Sequence, residues 1–284
     1  MSVLLQVSDL NMRFGGLLAV AGVEFSVQSG EIFAIIGPNG AGKTTVFNCI
    51  SGFYQPTAGR ITLHSDGKHI DLVKLLGGSL RWRDWAEPRR LAARIYYWFF
   101  GGAFRVARAG LARTFQNLRL FKNMTVVENM LIAQHTRLRT GLLPGLFQTP
   151  AYRDSERQAL EQAAFWLDKV GLLPYANREA GTLAYGQQRR LEIARCMITR
   201  PKLLLLDEPA AGLNPQETHE LDRLIMELRA NHGVSVLLIE HDMSLVMSIS
   251  DRILVMEHGR PVTIGTPQQV RANPQVIKAY LGEA

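Results

Sequence analysis

The sequence predicts an α/β domain built in layers, and two patterns carry that reading. Four short, continuous apolar runs, Glu31 to Ile36 (EIFAII), Leu203 to Asp207 (LLLLD), Val234 to Glu240 (VSVLLIE) and Arg252 to Met256 (RILVM), have the length and composition of sheet strands buried on both faces. Helical repeats separate them. Leu221, Leu224, Ile225 and Leu228 fall at i, i+3, i+4 and i+7, and Leu160, Ala163, Ala164 and Leu167 follow the same template. Taken in order, the first run stops at Gly37 and the residues after Gly42 read as helix, which gives strand, glycine turn, helix. Residues 117–200 show helical patterning without a convincing strand and read as a helical subdomain inserted into the α/β core. Residues 67–110 differ from both in composition. They are rich in arginine and aromatics (Trp82, Trp85, Tyr96, Tyr97, Trp98, Phe99, Phe100), are bracketed by Gly77-Gly78 and Gly101-Gly102, and read as an extra piece. Within them Leu91, Ile95, Trp98 and Phe99 share one helical face beside Arg81 to Arg94. Such a face suits an interfacial amphipathic helix or a packing helix with a solvated arginine side, and both readings stay open.

Composition excludes the exotic classes. With 284 residues, 47% apolar and 20% charged, the chain has the proportions of a soluble globular protein. Its longest apolar stretch, Leu91 to Val106, is interrupted by Arg94, Arg105 and a glycine pair, well short of the roughly 20 apolar residues a spanning helix needs. The first residues, MSVLLQVSDLNMRF, lack a basic region and a small-residue cleavage site, so no secretory signal is expected. Cys49 and Cys196, without metal-ligand spacing, fit core thiols in a reducing compartment. The net charge is +7, and residues 66–112, with nine Lys/Arg against four acids, supply most of it.

Chemistry concentrates where the first strand ends. Gly37, Pro38, Asn39, Gly40, Ala41, Gly42, Lys43 and Thr44, followed by Thr45, fit G-x-x-x-x-G-K-[ST]. Glycines let backbone N–H groups turn inward around phosphate oxygens, a helix N-terminus adds partial positive charge, and a lysine neutralises β- and γ-phosphates. In this pattern Thr44 supplies a hydroxyl to Mg²⁺. Asp207 and Glu208 follow four leucines, which puts two carboxylates at the C-terminal end of a buried strand, where open α/β sheets bind ligands. There Asp207 would hold the metal through its water shell, and Glu208 would orient or deprotonate the attacking water.

With these motifs in this order, the sequence resembles the ATP-binding cassette (ABC) ATPases over nearly its whole length. The fold so implied is a P-loop NTPase with a RecA-like core, an antiparallel β subdomain and an inserted helical subdomain. Phe14, before Gly15, matches the family's adenine-stacking aromatic. Gln116, in ArgThrPheGln, matches the glutamine that meets Mg²⁺ and the attacking water. Leu183, Ala184, Tyr185, Gly186 and Gln187 occupy the place of the signature Leu-Ser-Gly-Gly-Gln, and His241, 33 residues beyond Glu208, matches the switch histidine near the γ-phosphate. The resemblance implies a head-to-tail dimer with ATP between the phosphate loop of one cassette and the signature loop of the other.

Three positions depart from the family pattern. Ala184 removes a serine hydroxyl, Tyr185 replaces a glycine, and Asn214 in Ala210-Ala-Gly-Leu-Asn214 stands where an aspartate is common. The same departures, with the AlaTyrLeuGlyGluAla ending, make the chain similar to the ATPase subunits of bacterial branched-chain amino acid importers. That resemblance implies ATP and Mg²⁺, a second ATPase subunit (identical or not), two membrane permease subunits and, indirectly, a periplasmic amino-acid-binding protein. It further implies a peripheral place on the cytoplasmic face of the inner membrane and no nucleic-acid partner. An export ATPase for lipid or lipopolysaccharide shares most motifs but is disfavoured by the Ala-Tyr signature. A soluble ATPase of ribosomes or DNA would use the basic segment for phosphate contacts. A single cassette without long heptads speaks against it.

Overall fold

Val3–Phe14 (β1) and Leu17–Gln28 (β2) bury roughly every second residue, the two-residue period of a sheet with one face on the core. They pair antiparallel, and β1 also pairs with Ala58–Ser65 (β4), which pairs with Lys68–Asp71 (β5). The sheet order is β2-β1-β4-β5, the antiparallel layer that the family resemblance implies. Ile32–Ile36 (β3), Leu203–Asp207 (β7) and Ser235–Ile239 (β8) are buried at every residue, as continuous apolar runs require. With Leu111–Arg113 (β6), Arg252–Glu257 (β9) and Arg260–Gly265 (β10) they form a second sheet of order β10-β9-β3-β8-β7-β6. Every pair in it is parallel except the edge hairpin β9-β10.

This is a computed structural model, and it describes residues 2–65, 67–76, 102–134 and 150–276. The chain divides into two compact units. Met1–Arg113, Lys202–Glu208 and Ile225–Ala284 make the first, which holds both sheets. Its core joins Leu5, Val7, Leu10, Val23 and Ile61 of one sheet to Phe33, Ile35, Leu205 and Leu237 of the other, with Val46, Phe47 and Ile50 of the helix Lys43–Ile50 (α1) packed among them. Short helices Leu72–Leu75 (α2) and Ala103–Arg108 (α3) contribute Leu72 and Val106 to this core. The two ends of the stretch read as an extra piece are therefore a sheet strand and two core helices. Its middle, 77–101, with the face Leu91, Ile95, Trp98 and Phe99, lies outside the described residues.

Thr114–Pro201 and Pro209–Leu224 make the second unit. It contains helices Val126–Gln134 (α4), Pro150–Lys169 (α5) and Tyr185–Met197 (α6), and the first part of Pro215–His232 (α7). In α5 the buried stripe is Ala159, Ala163, Trp166 and Leu167, continued by Val170 just past its end, while Leu160, placed on it by periodicity, is 48% exposed. The stripe has turned by one residue because burying Trp166 removes more apolar surface than burying Leu160. The predicted face of α7 is buried at Leu221, Leu224, Ile225 and Leu228. Helices Met243–Ile249 (α8) and Pro267–Arg271 (α9) belong to the first unit. Among the described residues no helix is long and apolar enough to cross a membrane.

Candidate functional site

In the first unit, register alone gathers the predicted residues at one edge. Ile35 of β3 is opposite Ile239 of β8, which is opposite Asp207 of β7. Gly37, His241 and Glu208 each follow within two residues, so three strand ends that point the same way deliver the phosphate loop, both carboxylates and the histidine together. The loop needs its glycines. A Cβ on Gly37, at φ +153, would lie 2.2 Å from the Met256 carbonyl oxygen, and one on Gly42, at φ +92, would lie 2.8 Å from that of Ala19. Gly37→Ala is thus expected to push the loop off β9 and to lose both ATP binding and thermal stability, which a nucleotide-binding assay and a melt would read together.

Lys43 opens α1 and is buried, its ammonium donating to the carbonyls of Gly37 (2.6 Å) and Pro38 (3.0 Å). Burial lowers its pKa, and the negative charges of Glu208 and Asp207 oppose that shift. The lysine is therefore pre-aimed along the loop, and phosphate oxygens would compete with two neutral carbonyls for its protons. Thr44 is exposed and Thr45 half-buried. Phe14, 42% exposed, ends β1 with its ring edge-to-face against Tyr54, centroids 5.2 Å apart.

Asp207 is buried and ion-paired to Arg113 at 2.7 Å. Arg113, which sequence reading did not single out, also donates to Asn48 Oδ1 (2.6 Å) and Ser51 Oγ (2.7 Å) of the α1 end. It pins the carboxylate strand to the helix that starts at the phosphate loop. Glu208 adopts φ +46, a left-handed backbone costing about 1–3 kcal/mol for a non-glycine residue, and its N–H is held by the Ile239 carbonyl at 2.9 Å. Strain of this kind points the side chain rather than stabilising the fold. His241 is exposed, and Glu240, buried beside it, accepts its backbone N–H at 3.1 Å.

The remaining candidates belong to the second unit. Gln116 is exposed, with its backbone carbonyl accepting from Arg189 at 3.1 Å. Ala184 is the N-cap of α6 and has no side-chain oxygen to cap with. Instead Gln187 reaches back to accept the Ala184 N–H at 3.2 Å, and the thirteen-residue helix that follows carries the partial positive charge of its N-terminus at this loop. Gly186 is buried against Glu217, and Tyr185 is exposed with its ring against Gly212. Asn214 now has a local explanation. Its Oδ1 accepts the Glu217 N–H (2.9 Å) while Glu217 accepts the Asn214 N–H (3.0 Å), a reciprocal cap on α7 that asparagine makes as well as aspartate. Asn214→Ala should cost about 1 kcal/mol in a denaturant melt, and Asn214→Asp close to nothing.

Known proteins resemble this chain in both sequence and fold. The family model described as ABC transporter matches residues 20–211, and the one described as branched-chain amino acid ATP-binding cassette transporter matches residues 260–284. The chain is 58% identical over 281 residues to the high-affinity branched-chain amino acid transport ATP-binding protein BraF of Pseudomonas aeruginosa, covering 99% of this chain and 98% of that one. It is 54% identical, with the same coverage, to LivG of Escherichia coli K12, which carries the same description. Among solved structures it superposes on the ADP conformation of MJ1267, an ATP-binding cassette of an ABC transporter, with a TM-score of 0.76 at 30% identity and full coverage of both chains. Phosphate loop, carboxylate pair, matched family model and full-length relatives converge: this chain belongs to the ATP-binding cassette proteins of the ABC transporter family.

Proposed function

We propose that this chain is the ATP-hydrolysing subunit of an importer for branched-chain or other hydrophobic amino acids. The observation that carries the reading is the full-length 58% identity to a branched-chain amino acid transport ATP-binding protein. The match of residues 260–284 to the branched-chain subgroup supports it from a segment outside the catalytic motifs.

In this reading adenine stacks on Phe14, and the loop amides of residues 37–45 with Lys43 hold the phosphates. Glu208, aimed by its strained backbone, takes the proton of the attacking water, and His241 and Gln116 contact the γ-phosphate and that water. Phosphoryl transfer has a loose transition state, so positioning and charge supply the catalysis. The donor set suits Mg²⁺. Asp207 and Glu208 lie side by side at the end of β7, and magnesium takes one or two carboxylates beside substrate phosphates and water rather than a protein cage. Thr44, Asp207 and Gln116 would hold it, and its charge would offset the charge on the transferring phosphate. Ala184, Tyr185, Gly186 and Gln187 serve the ATP of a second cassette across a head-to-tail dimer, through backbone N–H groups in place of the serine hydroxyl.

The dimer docks on two permease subunits at the cytoplasmic face of the inner membrane, with a periplasmic binding protein engaged only through them. Tagging the chain in its own cells, solubilising the membranes gently and identifying stoichiometric partners tests this. Two polytopic subunits and a cassette are the expected partners, whereas recovery with ribosomes or DNA alone would overturn the transport role and leave ATP hydrolysis standing.

A further inference from the structure

Arg189 is fully buried in the middle of α6, and Glu192, one turn along the same helix, is buried with it at 2.9 Å. Two buried charges are costly, and an apolar pair of similar volume would often serve stability as well. Their hydrogen bonds show what they hold. Arg189 Nη1 donates to the Phe115 carbonyl (2.8 Å) and Nη2 to the Gln116 carbonyl (3.1 Å) and the Tyr185 hydroxyl (3.3 Å). Glu192 Oε1 accepts the N–H groups of Phe115 (3.3 Å) and Arg119 (3.4 Å), while Oε2 accepts from Arg189. The backbone of residues 115–119 is thereby bonded on both its carbonyl and its amide sides. Tyr185, whose ring lies on Gly212, is bonded to the same guanidinium that carries the Gln116 carbonyl.

We propose that Arg189, braced by Glu192, is a positioning residue that joins Tyr185 of the signature loop to the main chain of Gln116, so that an event at one loop is transmitted to the other. On the function proposed above, the signature loop serves the opposite ATP and Gln116 the chain's own, so the guanidinium links the two nucleotide sites. The same arrangement accounts for Tyr185. A glycine there would leave the guanidinium one partner short, while the tyrosine hydroxyl extends the link to the exposed N-terminus of α6. Lysine cannot replace Arg189, since a single ammonium lacks the planar fork that reaches two carbonyls and a hydroxyl together.

The test uses the transporter assembly purified from its own membranes, carrying wild type, Arg189→Lys, Glu192→Gln or Tyr185→Phe. Steady-state hydrolysis over a range of ATP concentrations is measured for each, alongside ATP binding to the isolated chain. Arg189→Lys should lower kcat roughly 10–100-fold and bring the Hill coefficient towards one, with ATP affinity of the isolated chain unchanged. Tyr185→Phe removes one hydroxyl and no packing, so it remains informative if Arg189→Lys fails to fold. It should lower the Hill coefficient in the same direction. A Hill coefficient and kcat within two-fold of wild type for folded Arg189→Lys, or for Tyr185→Phe where only that variant folds, would overturn the link while the function stands. An inactive wild-type assembly would instead remove the functional reading on which the link rests.

Discussion

Glu208→Gln should bind ATP with at least wild-type affinity and lose turnover by about 10²–10⁴-fold, the range a positioned general base supplies. The substitution keeps the volume of the side chain and the donor-acceptor reach, and glutamine takes the left-handed φ of +46 no less readily than glutamate. What disappears is the ability to accept a proton from water. The lost negative charge also removes one of the two carboxylates acting on Lys43, so the pocket becomes more attractive to the polyanionic phosphates. Binding and hydrolysis are thereby driven in opposite directions. Equilibrium ATP binding and phosphate release, measured on one preparation, separate them, and near-normal phosphate release would show that another group is the base.

Arg113→Met should lower the free energy of unfolding by about 3–5 kcal/mol, the usual consequence of removing one partner from a buried ion pair. Asp207 would stay buried without the guanidinium that pairs with it at 2.7 Å, and Asn48 and Ser51 would each lose a bond of 2.6–2.7 Å. Methionine fills much of the arginine's volume, so cavity formation contributes little and the loss reports electrostatics. Combining it with Asp207→Asn removes the buried charge. The double variant should recover a large part of the stability in urea titration, and equal losses for single and double variants would mean that Arg113 acts mainly through α1.

The fold was most legible where a strand is buried on both faces. LLLLD and VSVLLIE declare themselves because no position along them faces water, and all four apolar runs became strands of the parallel layer. The antiparallel layer was harder to read from periodicity. The one-residue alternation of β1 is broken by shifts of register between Val7 and Leu10 and between Leu10 and Met12, so its pattern slips out of phase within a single strand. Leu160 misled for a related reason, since a three-four repeat cannot weigh a leucine against a tryptophan six residues away. At the site, the residues proposed to meet phosphate sit in contiguous motifs and were visible. Arg113 and Arg189 were not, because each acts on groups distant in sequence, Asp207 in one case and the 115–116 carbonyls in the other. Nothing local distinguishes them from solvated arginines. Asn214, which stands where the family commonly has an aspartate, makes a helix cap, a role its side chain fills through contacts only three residues away.

The position of β3 between β8 and β9 has a consequence for biosynthesis. The strand that carries the phosphate loop is made within the first 36 residues, but both of its neighbours lie beyond residue 234. At about 5–20 residues per second, an all-apolar segment waits on the order of ten seconds or more on the ribosome before either partner emerges. Until then the loop has no edge on which to form, and the nascent chain carries sticky, unpaired backbone that a chaperone must shield. A chain cut short before β8 would therefore be an aggregation hazard rather than a weaker ATPase, and competence for nucleotide arrives late and all at once in synthesis.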